Sequence, residues 1–115
     1  MKYTVMISEH AEADLRSIFE YIAFELQSVD NAVAQMERLE IKITALSSMP
    51  ERYRHFEREP WLSRGLRIMP VDNYCVFYFC DNELKTVNIT RVMYGGRNFE
   101  VEMANDLNVF VNVKV

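Results

Sequence analysis

Residues 65–97 read GLRIMPVDNYCVFYFCDNELKTVNITRVMYGGR, and the way this stretch divides decides the fold. Leu66 to Met69 is a first apolar run, stopped by Pro70 and turned by Val71-Asp72-Asn73. Tyr74 to Cys80 follows as seven apolar or aromatic residues bounded by turn residues on both sides. Asp81-Asn82-Glu83 turns the chain again, and Leu84 to Met93 alternates polar and apolar positions. Aromatic and β-branched residues between Asp/Asn turns are the pattern of an antiparallel meander. Tyr74–Cys80 is too apolar to alternate, so it is expected to be the central strand, covered on both faces.

The preceding residues supply a cover. Tyr3, Val5 and Ile7 alternate with their neighbours as a short opening strand. Ser8 is placed to cap a helix, with Glu9 and Glu12 in its first turn, where the helix dipole favours acids. Ala11, Leu15, Ile18, Ile22 and Leu26 keep helical spacing, which predicts a helix running to about Gln27. Ser28-Val29-Asp30-Asn31 breaks the chain, and a second helix is expected from about Asn31. Its stripe is Val33, Met36, Leu39, Ile43 and Leu46, closed by Ser47-Ser48-Met49-Pro50. Two amphipathic helices with a short connection pack as an antiparallel hairpin. Glu51 to Arg64 has no clear period. Residues 109–115 alternate valine with other residues, the pattern of an extra edge strand in a C-terminal tail, residues 101–115. The expectation is therefore one α+β domain over residues 1–100: an N-terminal strand and a helical hairpin packed on an antiparallel sheet of about four strands.

Composition narrows the function. The longest apolar run is about seven residues, too short to span a membrane, and MKYTVMISEH has no hydrophobic signal core, so a cytoplasmic protein is expected. Cys75 and Cys80 sit five apart in one strand and face opposite sides. They are expected to be buried free thiols, with no metal-ligand spacing and no call for a cofactor. A net charge of −4 argues against a general nucleic-acid binder. The charge is uneven: residues 1–50 hold four Lys/Arg against eight Asp/Glu, and residues 52–97 hold eight against five. The sheet half thus suits an acidic or amphipathic partner segment.

The order strand, helical hairpin, meander, ending in Arg91-Val92-x-Tyr94-x-x-Arg97, resembles the RelE/ParE superfamily of toxins from type II toxin–antitoxin modules. Ser8, Ala11, Asp14, Leu15 and Ile18 carry the likeness in the first helix, followed by Tyr21-Ile22-Ala23. Leu46, Met49-Pro50-Glu51-Arg52-Tyr53, Gly65-Leu66-Arg67 and Met69-Pro70-Val71 continue it. Tyr74, Val76, Phe77, Tyr78, Ile89 and Arg91 to Arg97 complete it. The resemblance implies a cognate antitoxin that wraps the toxin, assembled as a heterotetramer or with the toxin as a homodimer. It also implies one of two activities, ribosome-dependent mRNA cleavage in the RelE manner or inhibition of DNA gyrase in the ParE manner. The spelling GLR, MPV-x-NY and FY before RVMYGGR is more similar to ParE.

The resemblance also names candidate site residues. In the nuclease branch an arginine follows the first aromatic residue of the central strand and stabilises the phosphate; here that position is Cys75. Arg67, Arg91, Tyr94 and Arg97 are the catalytic candidates if the chain is a ribonuclease, and the same four are the partner-binding candidates if it is not. Each has a blander reading: a strand-end aromatic for Tyr94, surface or acid-paired cations for the arginines. Convergence of the four on one concave surface would favour the nuclease. A third reading is a non-toxic relative that still binds antitoxin. His55 stands alone in a charged loop, and Trp61 beside Pro60 reads as a core plug or a loop anchor.

Overall fold

The computed structural model describes residues 2–95 of the chain. Strand β1 spans Thr4–Ile7, helix α1 Glu9–Glu20 and helix α2 Val29–Thr44. A single helical turn, α3, covers Trp61–Arg64, and strands β2, β3 and β4 cover Arg67–Val71, Tyr74–Asp81 and Thr86–Tyr94. The expectations for Arg97 and for the tail, residues 101–115, lie outside the described residues.

Among the described residues the sheet has four strands in the order β1-β4-β3-β2. The meander β2-β3-β4 is antiparallel, as the sequence predicts. β1 differs from the all-antiparallel expectation: it joins β4 in parallel, Thr4 opposite Thr86 through Ile7 opposite Ile89. The helical hairpin intervenes between β1 and the meander, so no tight turn fixes the direction of β1. Strand β3 lies inside the sheet and is covered on both faces. Its even residues Val76 and Tyr78 join Ala11, Leu39, Ile43 and Leu46 of the helical layer. Its odd residues Phe77 and Phe79 meet Phe56, Trp61, Leu66 and Ile68. The second cover is the aperiodic connection, whose Phe56 ring meets Trp61 and Phe77 edge-on at 6.0 and 5.6 Å. Trp61 is the core plug its sequence suggested, 6% exposed.

Turn chemistry sets the strand ends. Asp81 Oδ1 accepts from the amides of Glu83 and Leu84, both at 3.0 Å, and Lys85 takes φ 55°. Those bonds hold the amides in the turn, so β4 begins at Thr86, and Leu84 is exposed instead of starting the strand. In the β2–β3 turn Asp72 takes φ 54°, a value Asp tolerates, and its carboxylate accepts from Arg38 Nε at 2.7 Å and Gln35 Nε2 at 3.0 Å. These bonds, the Arg38 one first, hold the Asp72 carboxyl below its usual pKa and tie α2 to the sheet. Pro70 lies on edge strand β2. The Ile68 amide two residues earlier points outward to Arg54 O, so the donor that Pro70 lacks is an outward one.

The hairpin departs from regular helical spacing at its tip. After α1 the chain makes one π-helical turn, Tyr21–Glu25, before Gln27 at φ 53° and the start of α2. The wider turn rotates later residues off the α1 stripe, so Ile22 is buried but Leu26, expected in the core, is exposed. Val33, also expected there, is exposed as well; Ala32 packs instead with Ile22 and Ala23.

Candidate functional site

Of the described candidate residues, Arg91 is the most deeply placed. β1 ends at Ile7, and Ser8 then caps α1: its Oγ accepts from the Ala11 amide at 3.0 Å and donates to Thr90 O at 3.1 Å. Past that point β4, still paired with β3, has no described strand on its β1 side. The ladder with β3 shifts register between Phe77 and Tyr78, which pair with Arg91 and Ile89, so Thr90 is the extra residue of a bulge. Asp14 of α1 then takes the place of a strand partner. Its carboxylate accepts from the Val92 amide at 2.9 Å, from Arg91 Nε at 2.7 Å and from Arg91 Nη2 at 3.0 Å. The two side chains are 6% and 14% exposed. This is a two-point guanidinium–carboxylate pair with an added backbone bond, and it fastens the first helix to the last strand.

Arg67 does a different job at the start of β2. Its Nη1 donates to Glu51 O at 3.1 Å and Tyr53 O at 2.6 Å, and its Nη2 lies 3.9 Å from the Glu51 carboxylate. Beside it the buried Tyr78 hydroxyl donates to Pro50 O at 2.6 Å. Together they hold the loop that follows α2, where Met49 takes φ 51°. Burial pushes the Tyr78 phenol well up and, against the pull of the Arg67 charge, raises the Cys80 thiol to about 11.

Tyr94 lies at the other end of the sheet. Its ring is half-exposed and meets Tyr74 edge-on at 5.8 Å. The two rings border a cleft of about 260 Å³ with Pro70, Asn73 and Cys75. The Gly95 amide donates to Asn73 O at 2.6 Å across this end, and a Cβ at Gly95 would come within 3.1 Å of that oxygen. Burial first, then the neighbouring Tyr94 and Tyr21, raise the Tyr74 phenol above its ordinary value. Cys75 is half-buried, and burial outweighs the nearby Arg54 charge to raise its thiol too. A neutral thiol and a neutral phenol neither hold a phosphate by charge nor act as a base at neutral pH.

The register separates these residues. Arg67 pairs with Tyr78 and Tyr94 with Tyr74, four residues apart along β3, a span of roughly 13 Å in a strand. Arg91 turns away to α1. Arg67, Arg91 and Tyr94 therefore do not form one concave surface. His55 is exposed; its backbone bridges to Arg67 and its carbonyl accepts from Arg54 Nη1 at 3.4 Å. Among the described residues no cluster of His, Cys, Asp and Glu has the grouping of a metal site, and no helix is long and apolar enough to cross a membrane. Sequence reasoning named Asp14 only as a pattern residue and missed that it holds Arg91. The signal was present: an acid on an otherwise core-facing stretch of α1 asks for a buried partner.

A larger depression than the Tyr74–Tyr94 cleft lies elsewhere among the described residues. A groove of about 640 Å³ runs past Ile41, Thr44 and Ala45 at the end of α2, with Lys2 and Arg52 among its lining residues. It adjoins the outer side of edge strand β1, where the Tyr3 amide donates to Ser47 O at 2.8 Å. Ile41 is two-thirds exposed there.

Comparison with known proteins places this geometry. The chain is similar in structure to the chromosomal ParDE toxin–antitoxin system from P. aeruginosa, with 16% identity, a TM-score of 0.66 and coverage of 81% of this chain and 96% of that one. It is similar to the RelBE2 toxin–antitoxin complex of Mycobacterium tuberculosis, with 25% identity, a TM-score of 0.59 and coverage of 82% and 99%. A double-arginine mutant of the E. coli toxin RelE in the free state matches with 14% identity, a TM-score of 0.63 and coverage of 93% and 98%. Among curated proteins no relative matches. The family model described as the ParE toxin of the type II toxin–antitoxin system, parDE, matches residues 5–99, and over that span the chain belongs to the ParE toxin family.

Proposed function

We infer that this toxin acts by binding DNA gyrase rather than by cutting mRNA, and that a small cognate antitoxin neutralises it. The observation that carries the choice is the Asp14–Arg91 pair. An arginine that stabilises a phosphate in flight must present two N–H groups to it. Arg91 already gives Nε and Nη2 to Asp14 in a buried site, and Arg67 gives Nη1 to two loop carbonyls. Withdrawing Arg91 from its partner costs about 3–5 kcal/mol, which no single new contact to RNA repays. Protein–protein inhibition asks only for a stable surface, and this arrangement supplies one. The antitoxin is inferred from the family and from structural neighbours such as the RelBE2 toxin–antitoxin complex of Mycobacterium tuberculosis. The groove beside β1 suits it, because an extended segment laid there meets an apolar floor, with Lys2 and Arg52 against the single acid Glu40 in its lining.

One observation favours the nuclease reading: Tyr94 is exposed beside an open cleft, where it has room to stack on a base. Induction of the toxin in cells without its antitoxin separates the readings. Growth is expected to stop while transcripts stay full-length by primer extension, in the wild type and in Tyr94→Phe alike. Codon-specific cuts lost in Tyr94→Phe would establish the nuclease instead. Unimpeded growth would make the chain a non-toxic relative.

A further inference from the structure

We propose that the tip of the helical hairpin is a second docking face, separate from the groove beside β1, and that it inserts into an apolar groove rimmed by lysine and arginine on the target protein. The naming of gyrase as that target rests on the function inferred above; the face and its chemistry do not.

Three independent features meet at the tip. Tyr21, Phe24, Leu26 and Val29 lie within nine consecutive residues and are 55, 65, 56 and 54% exposed. Large apolar side chains so concentrated and so exposed mark an interaction surface more often than a solvated one. The backbone that presents them is the π-helical turn Tyr21–Glu25, a rare geometry retained most often at functional sites. It is not loose, since Ile22, Ala23 and Ala32 close a small core beneath it and the Leu26 and Ser28 amides donate to Tyr21 O and Ile22 O. The charge around it has one sign. From Ser17 to Glu37 the chain holds Glu20, Glu25, Asp30 and Glu37 and no lysine or arginine.

That charge decides the occupant. An acidic antitoxin segment would be repelled here, where four acids stand without a lysine or arginine among them. A groove with a cationic rim is complementary: aromatic and leucine anchors fill its floor while the acids meet its edge. Rigid aromatic anchors at the centre of a patch carry most of an interface's energy.

The test uses the full chain and purified gyrase holoenzyme in a supercoiling assay. Phe24→Ser with Leu26→Ser alters only exposed side chains, and circular dichroism melting is expected to stay within a few degrees of the wild type. Its inhibitory concentration is expected to rise roughly tenfold or more. A second variant, Glu20→Lys with Glu25→Lys, keeps the apolar anchors and is expected to lose potency most at low salt. Equal potency of wild type and both variants would overturn the proposal while leaving the gyrase reading standing. A wild-type protein without effect on supercoiling would overturn the gyrase reading and the partner named here. A wild-type dimer that the Ser variant converts to monomer would assign the tip to self-association and overturn it as well.

Discussion

Arg91 shows how a residue changes meaning once its neighbours are known. In the sequence it sits in a run of alternating residues ending in Tyr94 and Arg97, and nothing local separates a presented cation from a buried one. The separation is made by Asp14, 77 positions away, which takes both its Nε and its Nη2. Only the bulge at Thr90 and the early end of β1 bring the two together, and neither leaves a mark in composition. The pair behaves as a structural clamp. Asp14→Ala is expected to lower unfolding free energy by about 3–5 kcal/mol, because it strands a buried guanidinium and the Val92 amide at once. Urea denaturation followed by circular dichroism measures it. A change under about 1 kcal/mol, the range of surface pairs, would mean that Arg91 is free to act elsewhere.

At the scale of elements, the readable parts were those with a period or a cap. Ser8 capped α1 as its position implied, and the two turns around β3 fell at their Asp/Asn residues. The connection after α2 was unreadable because its buried positions, Phe56, Trp61 and Leu66, are five apart and fit neither helix nor strand. The π-turn was equally silent, since nothing in Tyr21–Glu25 sets it apart from an α-helical stripe. The tether between α2 and the β2–β3 turn gives an element-scale prediction. The Asp72 carboxyl is held below its ordinary value of 3.8 in the folded protein, chiefly by Arg38 and then Gln35. The folded state therefore binds the proton less readily than the unfolded one, and the tether's stabilisation is fully present above about pH 4 and lost as the pH falls below that. The stability gap between the wild type and Asp72→Asn, whose asparagine tolerates the same positive φ, is expected to shrink on acidification through that range. Thermal melts at pH 7 and pH 3 compare the two. A gap that stays constant would show that the tether is not ionic.

Across the whole molecule the polarity of charge read from the sequence becomes a division of surfaces. The hairpin carries acid around an apolar tip, and residues 52–97 carry the basic excess. Between them the Asp14–Arg91 clamp joins α1 to β4 and fixes how the two faces are set. The fold and family were legible because hydrophobic order and turn spacing are local signals repeated along the chain. The site was less so, because its candidates were named by type and their partners by distance in space. The account stands on inhibition by binding rather than by hydrolysis. Its most direct test is one titration of purified protein against gyrase supercoiling, run beside a purified translation system read by primer extension at the ribosomal A-site codon. The account predicts lost supercoiling at stoichiometric toxin with the message intact. Normal supercoiling together with codon-specific cleavage that disappears in Arg91→Ala, the variant's fold being verified, would contradict it.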